Sequence, residues 1–124
     1  MRILKVMVAA FALVSVLTIA SAQDVKRGFR EHARGVVDRT QDDLRRAEDL
    51  ERRNGKEISR YENAAKHLSD FDRELTRDHF DKGKLDNVIG DLKDVVEHNT
   101  LDPESRDALR RDLGDLRVLK AERD

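Results

Sequence analysis

The sequence predicts an all-α protein, a four-helix antiparallel arrangement built as a long hairpin plus a shorter helix pair, after an N-terminal signal helix. Three observations predict it. After Gln23 the apolar residues recur mostly at three- and four-residue steps, the period of an amphipathic helix and not the alternation of a strand. The single proline, Pro103, stands where a helix can begin. Acid-to-base pairs four residues apart recur at Asp42/Arg46, Glu48/Arg52, Asp49/Arg53, Glu62/Lys66, Asp78/Lys82 and Asp107/Arg111, and each such pair supports a helix by about 0.2–0.5 kcal/mol.

The first segment reads as an export signal. Arg2 and Lys5 give a positive start, Val6 to Ile19 is apolar apart from Ser15 and Thr18, and Ala20-Ser21-Ala22 offers the small residues a signal peptidase accepts. Those are the three parts of a cleavable secretory signal. The apolar run is shorter than the roughly 20 residues that cross a hydrocarbon core, so cleavage after Ala22 is expected in preference to a retained anchor. With no cysteine in the chain, neither a lipidated cysteine nor a disulfide is available. The expected destination is the periplasm or the extracellular space, with membrane contact only through the signal peptide before cleavage.

Removing those 22 residues from 124 leaves 102, with 23 Lys and Arg against 26 Asp and Glu. That length fits one domain, 23–124. Only 30 of the 102 are hydrophobic, close to the composition at which chains stay disordered. The low net charge and the periodicity favour folded helices. So thin an apolar supply, set out in long stripes, also favours burial against a partner protein or a second copy.

Helix one is predicted over about 24–53, with Val25, Phe29, Ala33, Val36, Val37, Leu44, Ala47 and Leu50 on its stripe and Arg53-Asn54-Gly55 as its stop. Helix two, about 56–81, carries Ile58, Tyr61, Ala65, Leu68, Phe71, Leu75 and His79 or Phe80, and Gly83 supplies its stop. Helix three, about 84–98, is the most apolar, with Leu85, Val88, Ile89, Leu92, Val95 and Val96. Helix four, about 103–121, starts at Asp102-Pro103-Glu104, an N-cap aspartate followed by a proline and an acid in the first turn. Its stripe is Leu109, Leu113, Leu116 and Leu119. The unequal lengths suggest that the shorter pair covers the half of the long hairpin nearer the junction of helices two and three, leaving the Asn54-Gly55 end extended.

Chemistry is sparse. Four histidines, His32, His67, His79 and His98, are the candidate metal ligands, although none lies in a local metal-binding motif. Folding the first hairpin about residues 54 and 55 brings His32 towards His79, with Glu31 and Asp78 nearby. Folding the second about Gly83 brings His67 towards His98, with Glu97 and Asp94 nearby. No cofactor is expected. Nor is an enzyme: there is no cysteine nucleophile or glycine-rich phosphate loop, and Ser59, Ser69 and Ser105 lack a recognisable base and orienting acid. The acidic balance, with arginines interleaved among carboxylates, argues against nucleic acid, which needs a concentrated basic face. The functional expectation is an exported helical interaction or structural protein that binds itself or another protein through amphipathic helix faces. The alternative is a metal- or small-ligand-binding bundle.

Overall fold

The computed structural model describes residues 2–51 and 55–123, with side chains from Asp24 onward. Four helices follow one another, with no strand among the described residues: α1 (Arg2–Leu50), α2 (Gly55–Thr76), α3 (Lys82–His98) and α4 (Pro103–Glu122). The signal-peptide reading of residues 1–22 lies outside the residues whose side chains are described. The chain divides into two compact units, Met1–Glu31 and His32–Asp124. In the first, the described side chains, 24–31, are exposed or half-buried.

The second unit is a helical bundle, and its cross-helix contacts give its order. Between α1 and α2, Arg34 meets Asp72 at 3.6 Å, and Gln41, Leu44, Arg45 and Glu48 share a groove with Ala65 and Ser69. Between α2 and α3, Arg60 donates to Asn99 at 3.0 Å, His67 meets Asp91 and Lys84 donates to Glu74 at 3.1 Å. Between α3 and α4, Arg106 donates to the Val96 carbonyl and Lys120 meets Asp86 at 2.7 Å. Arg39 of α1 reaches Asp112 of α4, while Leu50 lines a groove with Asp102. Along each seam the numbers rise on one helix as they fall on the other, so neighbours run antiparallel and α4 closes against α1.

Most members of the predicted stripes supply the core, but Val25 and Leu50 lie exposed, and on α2 it is Ala64, not Ala65, that is buried. Val36, Val37 and Leu44 of α1, Leu68 and Phe71 of α2, Leu85, Val88 and Leu92 of α3, and Leu109, Leu116 and Leu119 of α4 are all buried. Full burial of such a side chain contributes about 1.5–3 kcal/mol relative to exposure. Small residues, Ala33, Ala47 and Ala64, let the helices approach between them. Thr40, also fully buried, satisfies its hydroxyl by donating to the Val36 carbonyl one turn back at 2.7 Å.

Two expectations are corrected. Helix two does not run to 81 with Gly83 as its stop: α2 ends at Thr76 and Gly83 lies inside α3. The chain turns at Asp78, whose φ is 59°. The Asp78 N–H donates to the Leu75 carbonyl and the His79 N–H to the Glu74 carbonyl, the paired bonds of a Schellman closure. Asp81 then caps α3 by accepting the Lys84 N–H at 3.0 Å. Asp78 therefore lies in the turn and Lys82 opens α3, so the two do not share one helix. Phe80 leaves the helical stripe and packs edge-on against Phe71, ring centres 5.6 Å apart, with the Arg123 guanidinium over the Phe80 ring.

The second correction concerns the first junction. α1 ends at Leu50, short of 53, and the Arg53-Asn54 part of the predicted stop lies outside the described residues. The end beyond it is not left extended. The Glu57 carboxylate accepts the Thr100 N–H at 2.8 Å and its hydroxyl at 2.9 Å, and Asn99 donates to the Glu57 carbonyl at 3.2 Å. The α3–α4 connection is thus tied to the start of α2. With α2, α3 and α4 at 22, 17 and 20 residues, the α3–α4 pair nearly matches α2 in length.

Candidate functional site

The sequence-predicted histidines are placed by the position of the α2–α3 turn. Because the chain reverses near residue 79, His67 faces Asp91 and not His98. His98 lies seven residues further along α3, about 10 Å at 1.5 Å per residue, and its nearest acid is Glu97 at 4.0 Å. His67 and His98 are therefore held at different levels of the bundle. His79 turns its Nδ1 to Glu74 Oε2 at 2.8 Å, while His32 is exposed on α1.

The turn gathers His79, a candidate ligand from the sequence, with two carboxylates that the sequence does not single out. Ligand atoms of Glu74, His79 and Asp81 lie within 4.8 Å of one another. The Schellman closure is what folds His79 back over the last turn of α2, and the capping role of Asp81 brings in the third group. A nitrogen with two carboxylates suits a borderline divalent cation such as zinc. The Lys84 ammonium, 3.1 Å from Glu74 Oε1, opposes one by its charge. His79 and Lys84, in that order, hold the Glu74 carboxyl below its ordinary pKa.

A second concentration of charge lies in the α1–α4 seam, with Asp112 buried and Arg39 and Asp115 partly exposed. Asp112 is fully buried and accepts Arg39 Nε at 3.1 Å; the same guanidinium reaches Asp115. The other Asp112 oxygen has no hydrogen-bond donor, and the Asp43 carboxyl interacts with this group. Burial first, then Asp43, pushes the Asp112 carboxyl up to about 7 against the pull of Arg39. Tyr61 is likewise buried, and desolvation beside Glu51 raises its phenol. Glu57 moves the other way, lowered mainly by the two Thr100 donors. These groups are packed into helix seams, where they fix register.

Grooves between helices mark the outside of the described residues. Those of α1–α4 and α1–α2 have volumes of about 160 and 190 Å³, and their charges are mixed: Arg46 and Arg111 with Asp43, Asp102 and Glu104 in the first, Arg45 with Glu48 in the second. The α3–α4 groove is larger, about 480 Å³, and is lined by Lys93, Arg106, Arg110 and Arg117 against one acid, Glu97, over a floor of Val96 and Leu113. Its basic character arises because Arg106, Arg110 and Arg117 follow one face of α4 and α3 sets Lys93 beside them. In the sequence those arginines are interleaved with carboxylates, the pattern of solvated helix faces; only the packing of α3 against α4 sets Lys93 beside them.

Among the described residues no helix is long and apolar enough to cross a membrane. Neither protein-family models, nor curated proteins, nor solved structures give a match to the chain.

Proposed function

We propose that the chain is an exported, non-catalytic helical protein, a four-helix antiparallel bundle behind a cleavable signal peptide, that works by binding another protein or a second copy of itself. The observation that carries this reading is the division of labour between inside and outside. Leucine, valine and phenylalanine from all four helices fill the core, while charged grooves lie on the surface. The amphipathic faces serve mainly to close the bundle. Of the large apolar residues left out, Leu50 and Val118, at 64% and 51% exposure, belong to the second unit, so a contact surface would combine such residues with charge.

Export is tested by expressing the full chain in a secretion-competent host and determining the mature N-terminus by mass spectrometry. Gln23 is the expected first residue, and a retained Met1 in the cell interior would sink the export reading. Association is tested by sedimentation equilibrium over a hundredfold concentration range, together with affinity capture from the same compartment. A strictly monomeric protein with no saturable partner would count against the proposal.

A second reading, divalent-metal binding, is favoured by one observation, the Glu74, His79 and Asp81 cluster. It predicts stoichiometric zinc uptake in calorimetry that H79A abolishes; heat no greater than that of the variant would remove it.

A further inference from the structure

We infer that the α3–α4 groove is a docking site for an acidic, amphipathic helical segment of a partner protein. This rests on the proposed role as an interaction protein and names the partner's chemistry. Four cations and one carboxylate line the groove in a chain that carries more acid than base overall. Arg106 is partly committed, donating to the Val96 and Asn99 carbonyls at the end of α3, and Lys93 stands 4.0 Å from Glu97. Arg110 and Arg117 are exposed and form no ion pair among the described residues. Being seven residues apart on one helix, they lie about 10 Å from each other along its axis.

That spacing selects the occupant. A helix carrying carboxylates at positions i and i+7 presents them at the same interval, and an apolar residue at i+3 or i+4 falls between them on the same face. Val96 and Leu113, each 6% exposed, form the floor on which such a residue would rest. Guanidinium groups suit carboxylates because their paired N–H donors match the two oxygens. A flat anionic bilayer fits less well: it meets the arginines at the rim but cannot reach a floor recessed between two helices. The surface therefore favours a helix lying in the groove, an arrangement in which apolar anchors and flanking charges act together.

The test uses the full mature chain and a fluorescein-labelled synthetic peptide with Glu at i and i+7 and Leu at i+3 and i+4, beside a scrambled peptide of the same composition. Fluorescence anisotropy should give saturable binding of the patterned peptide, weaker by roughly tenfold or more for the R110E/R117E double variant, since opposed charges become like charges. Circular dichroism of the variant should be unchanged, because both positions are exposed. The methyl resonances of Val96 and Leu113 should shift on titration.

Equal binding of the scrambled peptide, or stronger binding to vesicles containing anionic phospholipid, would overturn the proposal, as would shifts confined to another face. Absence of any peptide binding while sedimentation still shows association would sink the groove and leave the broader interaction reading standing. Absence of both would remove the two together.

Discussion

Asp112 gives the bundle an uncommon dependence on pH. In the unfolded chain an aspartate releases its proton near pH 3.9, whereas the buried carboxyl keeps it up to about 7. Between those values the unfolded state binds fewer protons than the native one, so this group's contribution falls as pH rises from about 4 to 7 and is level beyond. Glu57, Glu74 and Asp102 act in the opposite sense, because their donors lower their pKa values; what they contribute is present above the ordinary carboxylate range and lost as pH falls through the lowered values. D112N, which keeps an acceptor for Arg39 and offers a donor to Asp43, should gain in stability relative to the parent between pH 4 and 8. Calorimetric scans are expected to show a change on the order of 1–2 kcal/mol; a difference independent of pH would mean that Asp112 titrates normally. At Asp78 the constraint is conformational. With φ at 59°, a β-branched residue is strained, so D78V should lose about 1–2 kcal/mol. D78G should lose little in the same melting experiment, since glycine adopts that backbone freely.

At the level of the helices, the ends show which signals are local. Asp102 accepts the Ser105 N–H at 3.1 Å ahead of Pro103, and D102A should destabilise by about 1 kcal/mol, read as a lower Tm with the helix content below the transition preserved. The start of α4 was legible because cap and proline act within one turn. The end of α2 was not. Its turn uses an aspartate where glycine is commoner, and Phe80 leaves the stripe to meet Phe71 and Arg123, partners that only the folded bundle brings together. Gly83 was a misleading stop because a glycine near the beginning of a helix is tolerated there, while Asp81 supplies the cap.

The position of this turn also decides which side chains meet at the site. Moving the reversal from 83 to 79 changes the partner of His67 from the neighbourhood of His98 to Asp91. Composition and period thus carried the four helices and most of the core, whereas histidine placement and the basic groove depended on register between helices.

Across the whole molecule, the connections between successive helices are short, and most seams join segments adjacent in sequence. The α1–α4 seam is different: Arg39 and Asp112 are 73 residues apart. Chains rich in local contacts fold in microseconds to milliseconds, because little loop entropy is lost before contacts form. The three sequential hairpins should therefore assemble early and the closing seam late. R39A is expected to leave the refolding rate nearly unchanged and to speed unfolding several-fold in stopped-flow measurements, the signature of an interaction absent from the transition state. Slowed refolding with unchanged unfolding would place the seam in the nucleus instead. A late-closing seam also sets where the native bundle first opens. Amide hydrogens along α1 from His32 to Leu50 and along α4 should exchange through partial opening at lower free energy than those of the α2–α3 hairpin.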